Sequence, residues 1–428
     1  MFCRFFVWRS APLAAALSVL ATLLLQTSGS AWARVQLITL PVRERVEIQL
    51  DNAAATLVEE ERIVPLVKGE NQVDFSWANT QIDPNTIVLR VVGPAANAVG
   101  AGKQPASKPP EVKLLSVSYP PNESTLLWNV GASDSGSARV RISYLLGNLT
   151  KSFNYRAVAS HDETTLALSQ YLRLQNFANE EFGSTGLWAG FGPRFLKPIG
   201  INETKEMLVE KSDAVPIRKT YTCNPAEYDY LDRSQNKLRV PMHYVLKNDK
   251  ANHLGVAPLP YGKVRIFIQG AVNGPGDSAS SADSSTAFLG EDWGKFTPVD
   301  DEMKLYLGVA QDIVVKRTQE KNERKEISGN LHDQEVVIKY EIENFKEQSV
   351  ELDVVEDMRY LRREAGGGDS ERDVQWDIGN QTTFDGGLDK EHSTFDRAMF
   401  HVKLPARGAD GKAEKIVQKL DVVLKNEW

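Results

Sequence analysis

Cysteine is nearly absent: Cys3 and Cys223 are the only two in 428 residues. Cys3 lies in a leading segment that reads as removable, which leaves Cys223 alone and excludes an intrachain disulfide. A chain without staples must be held by buried apolar cores. With no Cys-His grouping beside it, Cys223 is expected to be buried rather than reactive. Histidine is scarce too. His161, His243, His253, His332, His392 and His401 form no H-x-H or H-E-x-x-H pair, so no metal and no cofactor is expected. No G-x-S-x-G elbow occurs, the lone S-x-x-K match at residues 234–237 has no companion motifs, and no catalytic residue is assigned. Apolar runs long enough to span a bilayer are missing, which excludes a multi-span membrane protein. A basic stripe free of acids is also missing and the net charge is −7, which excludes nucleic acid as a partner.

What is present at the start is a three-part pattern. Arg4 and Arg9 precede a fifteen-residue apolar run at 11–25, a polar stretch at 26–30 and then Ala31-Trp32-Ala33. This is the layout of a secretory signal cleaved between Ala33 and Arg34, and the run is shorter than the roughly 20 residues a membrane anchor needs. The expected location is therefore extracytoplasmic, periplasmic or secreted, with no transmembrane span after cleavage.

Beyond residue 34 the sequence alternates with period two. Val46, Ile48 and Leu50 alternate with Glu47 and Gln49; Val140, Ile142 and Tyr144 with Arg141 and Ser143; Val264, Ile266 and Ile268 with Arg265. The same pattern holds for Val336, Ile338, Tyr340 and Ile342, and again for Leu420, Val422 and Leu424. Alternation of this kind marks half-buried antiparallel strands. The one helical candidate, residues 163–173, carries too many β-branched and polar interruptions. The expectation is an all-β protein of two or three antiparallel β-sandwich domains, the last of immunoglobulin or fibronectin type.

Composition divides the chain into a signal at 1–33, an N-terminal β region at 34–92 and a Gly/Ala/Pro-rich linker or loop at 93–110. A middle sandwich at 111–247, which can pair with 34–92, precedes a C-terminal sandwich at 248–428. A Ser-rich insertion at 270–286 interrupts the last domain, and the mixed-charge run 316–326 reads as a solvated hairpin tip.

Four tryptophans qualify as ligand platforms. Trp128 and Trp376 lie in alternating strands and are expected in the core, whereas Trp188 and Trp293 sit among glycines, where an exposed ring can stack on a sugar. Glu291 and Asp292 adjoin Trp293, so Trp188, Trp293, Glu291 and Asp292 make up the candidate ligand platform.

The stretch 248–267, NDKANHLGVAPLPYGKVRIF, resembles a signature of the mucoidy inhibitor-like family, a domain of unknown function. Residues 288–291 (FLGE), 305–308 (LYLG) with 312–314 (DIV), and 340–344 (YEIEN) are similar to later steps of its pattern, and weaker echoes reach upstream to residue 46. The resemblance spans most of the chain beyond the signal and implies an exported β protein. Family members often carry a coiled coil in the first half, and residues 93–110 stand in its place here, so the chain resembles a short form. The family supplies no catalytic residues. The favoured expectation is a non-catalytic binding or structural module at the cell envelope, partnered by an envelope protein or polysaccharide. The alternative is a carboxylate-dependent hydrolase of envelope glycans or peptides. That alternative needs two of Glu181, Glu291, Asp292, Asp300, Asp301, Asp385 and Asp389 to meet in a pocket beside Trp188 or Trp293.

Overall fold

The computed structural model describes residues 35–52, 55–94, 111–270, 286–367 and 373–428. The expected signal and most of the 93–110 and 270–286 segments lie outside the described residues. The described chain is all-β, as the alternation predicts. It divides into two compact units, one running up to Glu47 and resuming over Leu57–Leu146, the other made of Ile48–Thr56 with Gly147–Trp428.

The first unit contains β1 (Gln36–Thr39), β2 (Arg45–Gln49) at its boundary, β3 (Thr56–Leu66), β4 (Gly69–Ser76), β5 (Val88–Pro94), β6 (Val112–Ser118), β7 (Thr125–Ala132) and β8 (Gly136–Leu146). One sheet runs β1-β4-β7-β6, while β3, β8 and β5 lie side by side in another. The strands alternate buried and half-exposed residues, and the inward rings Phe75 and Trp128 (5.6 Å) and Phe75 and Tyr144 (5.9 Å) meet between the layers. Trp128 is a core residue, as expected.

The second unit continues with β9 (Leu149–Ala159), β10 (Thr165–Asn176), β11 (Phe182–Trp188), β12 (Phe195–Ile199), β13 (Thr204–Pro216), β14 (Arg218–Cys223), β15 (Tyr230–Asp232), β16 (Lys237–Leu238) and β17 (Pro241–Lys247). It ends with β18 (Gly262–Gln269), β19 (Thr286–Gly294), β20 (Glu302–Val309), β21 (Ile313–Ser328), β22 (Leu331–Asn344), β23 (Val350–Asp357), α1 (Met358–Glu364), β24 (Gln375–Ile378), β25 (Arg397–Leu404) and β26 (Lys415–Glu427). Three of its sheets have the orders β13-β10-β9-β18-β19, β20-β17-β14-β23-β25 and β15-β16-β21-β22-β26-β24. The last two pack face to face. Cys223, Leu352, Val354, Phe400 and Val402 on one side meet Val315, Val336, Ile338, Tyr340, Leu420, Val422 and Leu424 on the other. Cys223 sits fully buried in this apolar layer, where burial pushes the thiol pKa up and keeps it unreactive.

Four features depart from the sequence expectations. Three of the sheets are mixed: β1 with β4, β9 with β18 and β14 with β23 pair in parallel, which the chain permits because long excursions separate each pair. The boundary expected at residue 248 divides a sheet, since β14 and β17 lie in the same layer as β20, β23 and β25. A short helix, α1, closes one end of the sandwich with Met358 and Leu361 buried and Asp357 accepting from the Tyr360 N–H at 2.8 Å. The run 316–326 is part of β21 itself rather than a hairpin tip, which falls at residues 329–330. Arg317 in that run faces the core, because its strand position points inward and acids wait there.

The stretch 248–267 works as a clasp. The buried Asn248 side chain donates to the carbonyls of Ala257, Thr297 and Pro298 at 3.0–3.2 Å and accepts from the Gly255 N–H at 2.9 Å. Tyr155 donates its hydroxyl to the Pro260 carbonyl at 2.7 Å. At Gly262 a Cβ would collide with the Phe153 carbonyl, so glycine lets β18 lie close beside β9.

Candidate functional site

The clasp launches β18 beside β19, the edge strand of the sheet β13-β10-β9-β18-β19. Val264 and Ile266 point into the core, and the period of two then turns Lys263, Arg265 and Phe267 to the opposite face. The β18–β19 register sets Trp293 opposite Lys263, Glu291 opposite Arg265 and Phe288 opposite Phe267. The outward face therefore carries two aromatic stations. At one, Tyr261 and Trp293 stack nearly parallel, with centroids 5.1 Å apart and planes 3° from each other, and both remain about half exposed at 57% and 50%. At the other, Phe267 and Phe288 meet edge to face at 5.5 Å, with the Arg156 guanidinium 5.3 Å over the Phe267 ring. Lys263 and Phe267, which mark the two stations on β18, are separated by roughly 13 Å at about 3.3 Å per residue.

Charge lies between them. Lys263 sits 5.2 Å over the Trp293 ring and donates to Glu291 at 2.8 Å, while Arg265 reaches the same carboxylate at 3.8 Å. The hydrogen bond from Lys263 holds the Glu291 carboxyl below its ordinary range, so it is ionised. Asp292 has a different task. Its carboxylate accepts from the Tyr306 N–H at 2.7 Å and the Trp293 N–H at 2.8 Å, which fixes the backbone on which Trp293 stands.

Of the four platform residues expected from sequence, the structure thus gathers Trp293, Glu291 and Asp292 on β19. Trp188 stands on β11, in a different sheet, with its carbonyl accepting from the Leu50 N–H. Tyr261 and Lys263 lie against Trp293 although the sequence reading passes over them. Extending the outward series Phe267, Arg265, Lys263 back by two residues reaches Tyr261, and that is the signal that finds both. Trp376 packs partly buried on the sandwich core and donates its indole N–H to the Phe395 carbonyl at 2.6 Å.

Of the carboxylates named for the hydrolase alternative, Asp385 and Asp389 both approach His401, away from Trp188 and Trp293. Glu181 immediately precedes β11, and Asp300 and Asp301 occupy the turn before β20, where Asp301 accepts from the Glu302 N–H. Asp385 lines a cavity of about 380 Å³ with His401, Lys403 and Gln418. A second cavity, of about 570 Å³, is lined by Glu163, Lys219, Lys346, Glu351 and Arg407 among others. Neither of these two cavities is lined by Trp188 or Trp293.

A second polar constellation lies on β23 and β25. Asp353 stands opposite His401 in the antiparallel register, and Glu351, two residues back, shares its face. His401 Nδ1 is 2.9 Å from Asp353 and 3.5 Å from Glu351, while Nε2 is 2.8 Å from Asp389. Asp389 is also 2.7 Å from His392 Nδ1. Burial raises the Asp353 pKa, whereas the hydrogen bond from His401 lowers that of Asp389. Partial burial opposes charge on His401, but the hydrogen bonds to Asp389 and Asp353 outweigh it and raise its pKa. Sequence spacing carries no sign of this grouping, because residues 351–353, 389 and 401 meet only through strand register.

Comparison with known proteins returns no matching family model and no matching curated protein.

Proposed function

We propose that this chain is an exported, non-catalytic binding module of the cell envelope that holds a polysaccharide on the open face of β18 and β19. The observation that carries this reading is the half-exposed Tyr261–Trp293 stack, continued by Phe267 and Phe288 on the same face. Flat rings left in water at a sheet surface offer apolar area to the faces of sugar rings, and Lys263 and Arg265 offer hydrogen bonds to their hydroxyls and acids. Two stations separated along one strand suit an extended chain better than a compact ligand. Binding is favoured over hydrolysis at this face because the cavities lined by His401, on which the acids converge, and by Glu351 include none of Tyr261, Trp293, Phe267 and Phe288, whereas hydrolysis requires two carboxyls at a set separation across the bound bond. The signal pattern at residues 1–33 and the resemblance to the mucoidy inhibitor-like family support the envelope location.

The experiment is affinity electrophoresis of the protein through gels containing neutral and acidic envelope polysaccharides. Trp293→Ala and Tyr261→Ala are each expected to weaken retardation roughly thirtyfold, the loss of about 2 kcal/mol typical of an aromatic anchor. Equal mobility of the wild type with and without polysaccharide would refute the proposal.

A further inference from the structure

We infer that Glu351, Asp353 and His401 form a binding site for one divalent first-row transition cation, with zinc or manganese the best matched. One ligand atom from each residue lies within 4.8 Å of the other two. The His401 Nδ1 separations of 2.9 Å from Asp353 and 3.5 Å from Glu351 suit a shared ion. With metal–ligand bonds of about 2.1 Å, they subtend angles of about 87° and about 113°, the range between octahedral and tetrahedral coordination.

The surroundings prepare His401 for this role. Both ring nitrogens of His401 face carboxylates, Nε2 at 2.8 Å from Asp389 and Nδ1 at 2.9 Å from Asp353, so without an ion each nitrogen donates a proton. A divalent cation takes the place of the Nδ1 proton, which is released to water, and Nδ1, Asp353 and Glu351 then turn their lone pairs to the one ion while Asp389 keeps the proton on Nε2. Asp389 is the outer partner of a carboxylate–histidine–metal arrangement. It is itself fixed, because its other oxygen accepts from the Glu391 and His392 N–H groups and its backbone N–H donates to the Met399 carbonyl. Asp353 and His401 stand on directly paired strands, so their spacing is set by the ladder and not by a loop. Glu351 lines the larger cavity and His401 the smaller one, which leaves room for water to complete the coordination. One imidazole with two carboxylates suits zinc or manganese better than the softer, thiolate-seeking ions.

Isothermal titration of the full chain, free of any histidine tag, with zinc chloride and separately with manganese chloride tests the site. One equivalent is expected to bind, with affinity lowered at least tenfold in Asp353→Asn and His401→Gln. Asp389→Asn, which loses only the outer partner, is expected to weaken binding about 10–100-fold. Since changes on paired strands can disturb folding, Glu351→Gln serves as the control at an exposed position: it should keep the metal-free melting temperature and lose most of the metal-induced rise. Absence of stoichiometric binding by either metal would overturn the inference, as would binding that survives Glu351→Gln and Asp353→Asn.

Discussion

Arg317, on β21, is almost wholly buried, and its guanidinium donates to Glu356 at 2.8 Å and 3.1 Å and to Glu364 at 2.9 Å. Tyr340 adds its hydroxyl to the same Glu356 carboxylate. A charge removed from water at this depth persists only while its partner is ionised beside it. Glu356→Gln is therefore expected to cost about 3–5 kcal/mol in chemical denaturation, while the joint replacement Arg317→Met with Glu356→Leu should cost less, because the one charge left without its partner, Glu364, is partly exposed to water. Equal stability of Glu356→Gln and wild type would show that Glu356 does not carry this role. From the sequence this region reads only as a mixed-charge run, since inward and outward charges look alike until a strand's register is known.

At the scale of elements, side-chain amides hold the turns that deliver strands. Asn71 donates to the carbonyls of Val67, Gly69 and Val130, Asn344 to those of Gln348 and Pro405, and Asn248 to three carbonyls around the clasp. The acceptors include turn carbonyls outside the ladders, those of Val67, Ala257 and Gln348 among them. Asn248→Ala leaves several of these unpaired and is expected to destabilise the protein by about 1–3 kcal/mol. Because the clasp positions Tyr261 and the start of β18, the same substitution should also weaken polysaccharide retention, and a denaturation curve run beside the affinity gel checks both. The strands of this region are legible from alternation. The parallel pairing of β9 with β18 is not, since period two determines which face is dry but not which strand lies alongside.

For the molecule as a whole, stability comes from packed layers without covalent staples. Cys223 is fully buried, so after removal of residues 1–33 the melting temperature should be the same with and without reductant. A reductant-dependent shift in a calorimetric scan would contradict that account. Among the described residues no helix is long and apolar enough to cross a membrane. The sequence by itself determined the all-β class and the burial of Trp128 and Cys223, because each follows from local composition and the two-residue repeat of a strand. Only the tertiary structure decided that Tyr261 stacks on Trp293, that Arg317 turns inward to Glu356, and that Glu351 and Asp353 meet His401. Those meetings depend on cross-strand register between segments distant in the chain, and register is set by the packing of all the layers together.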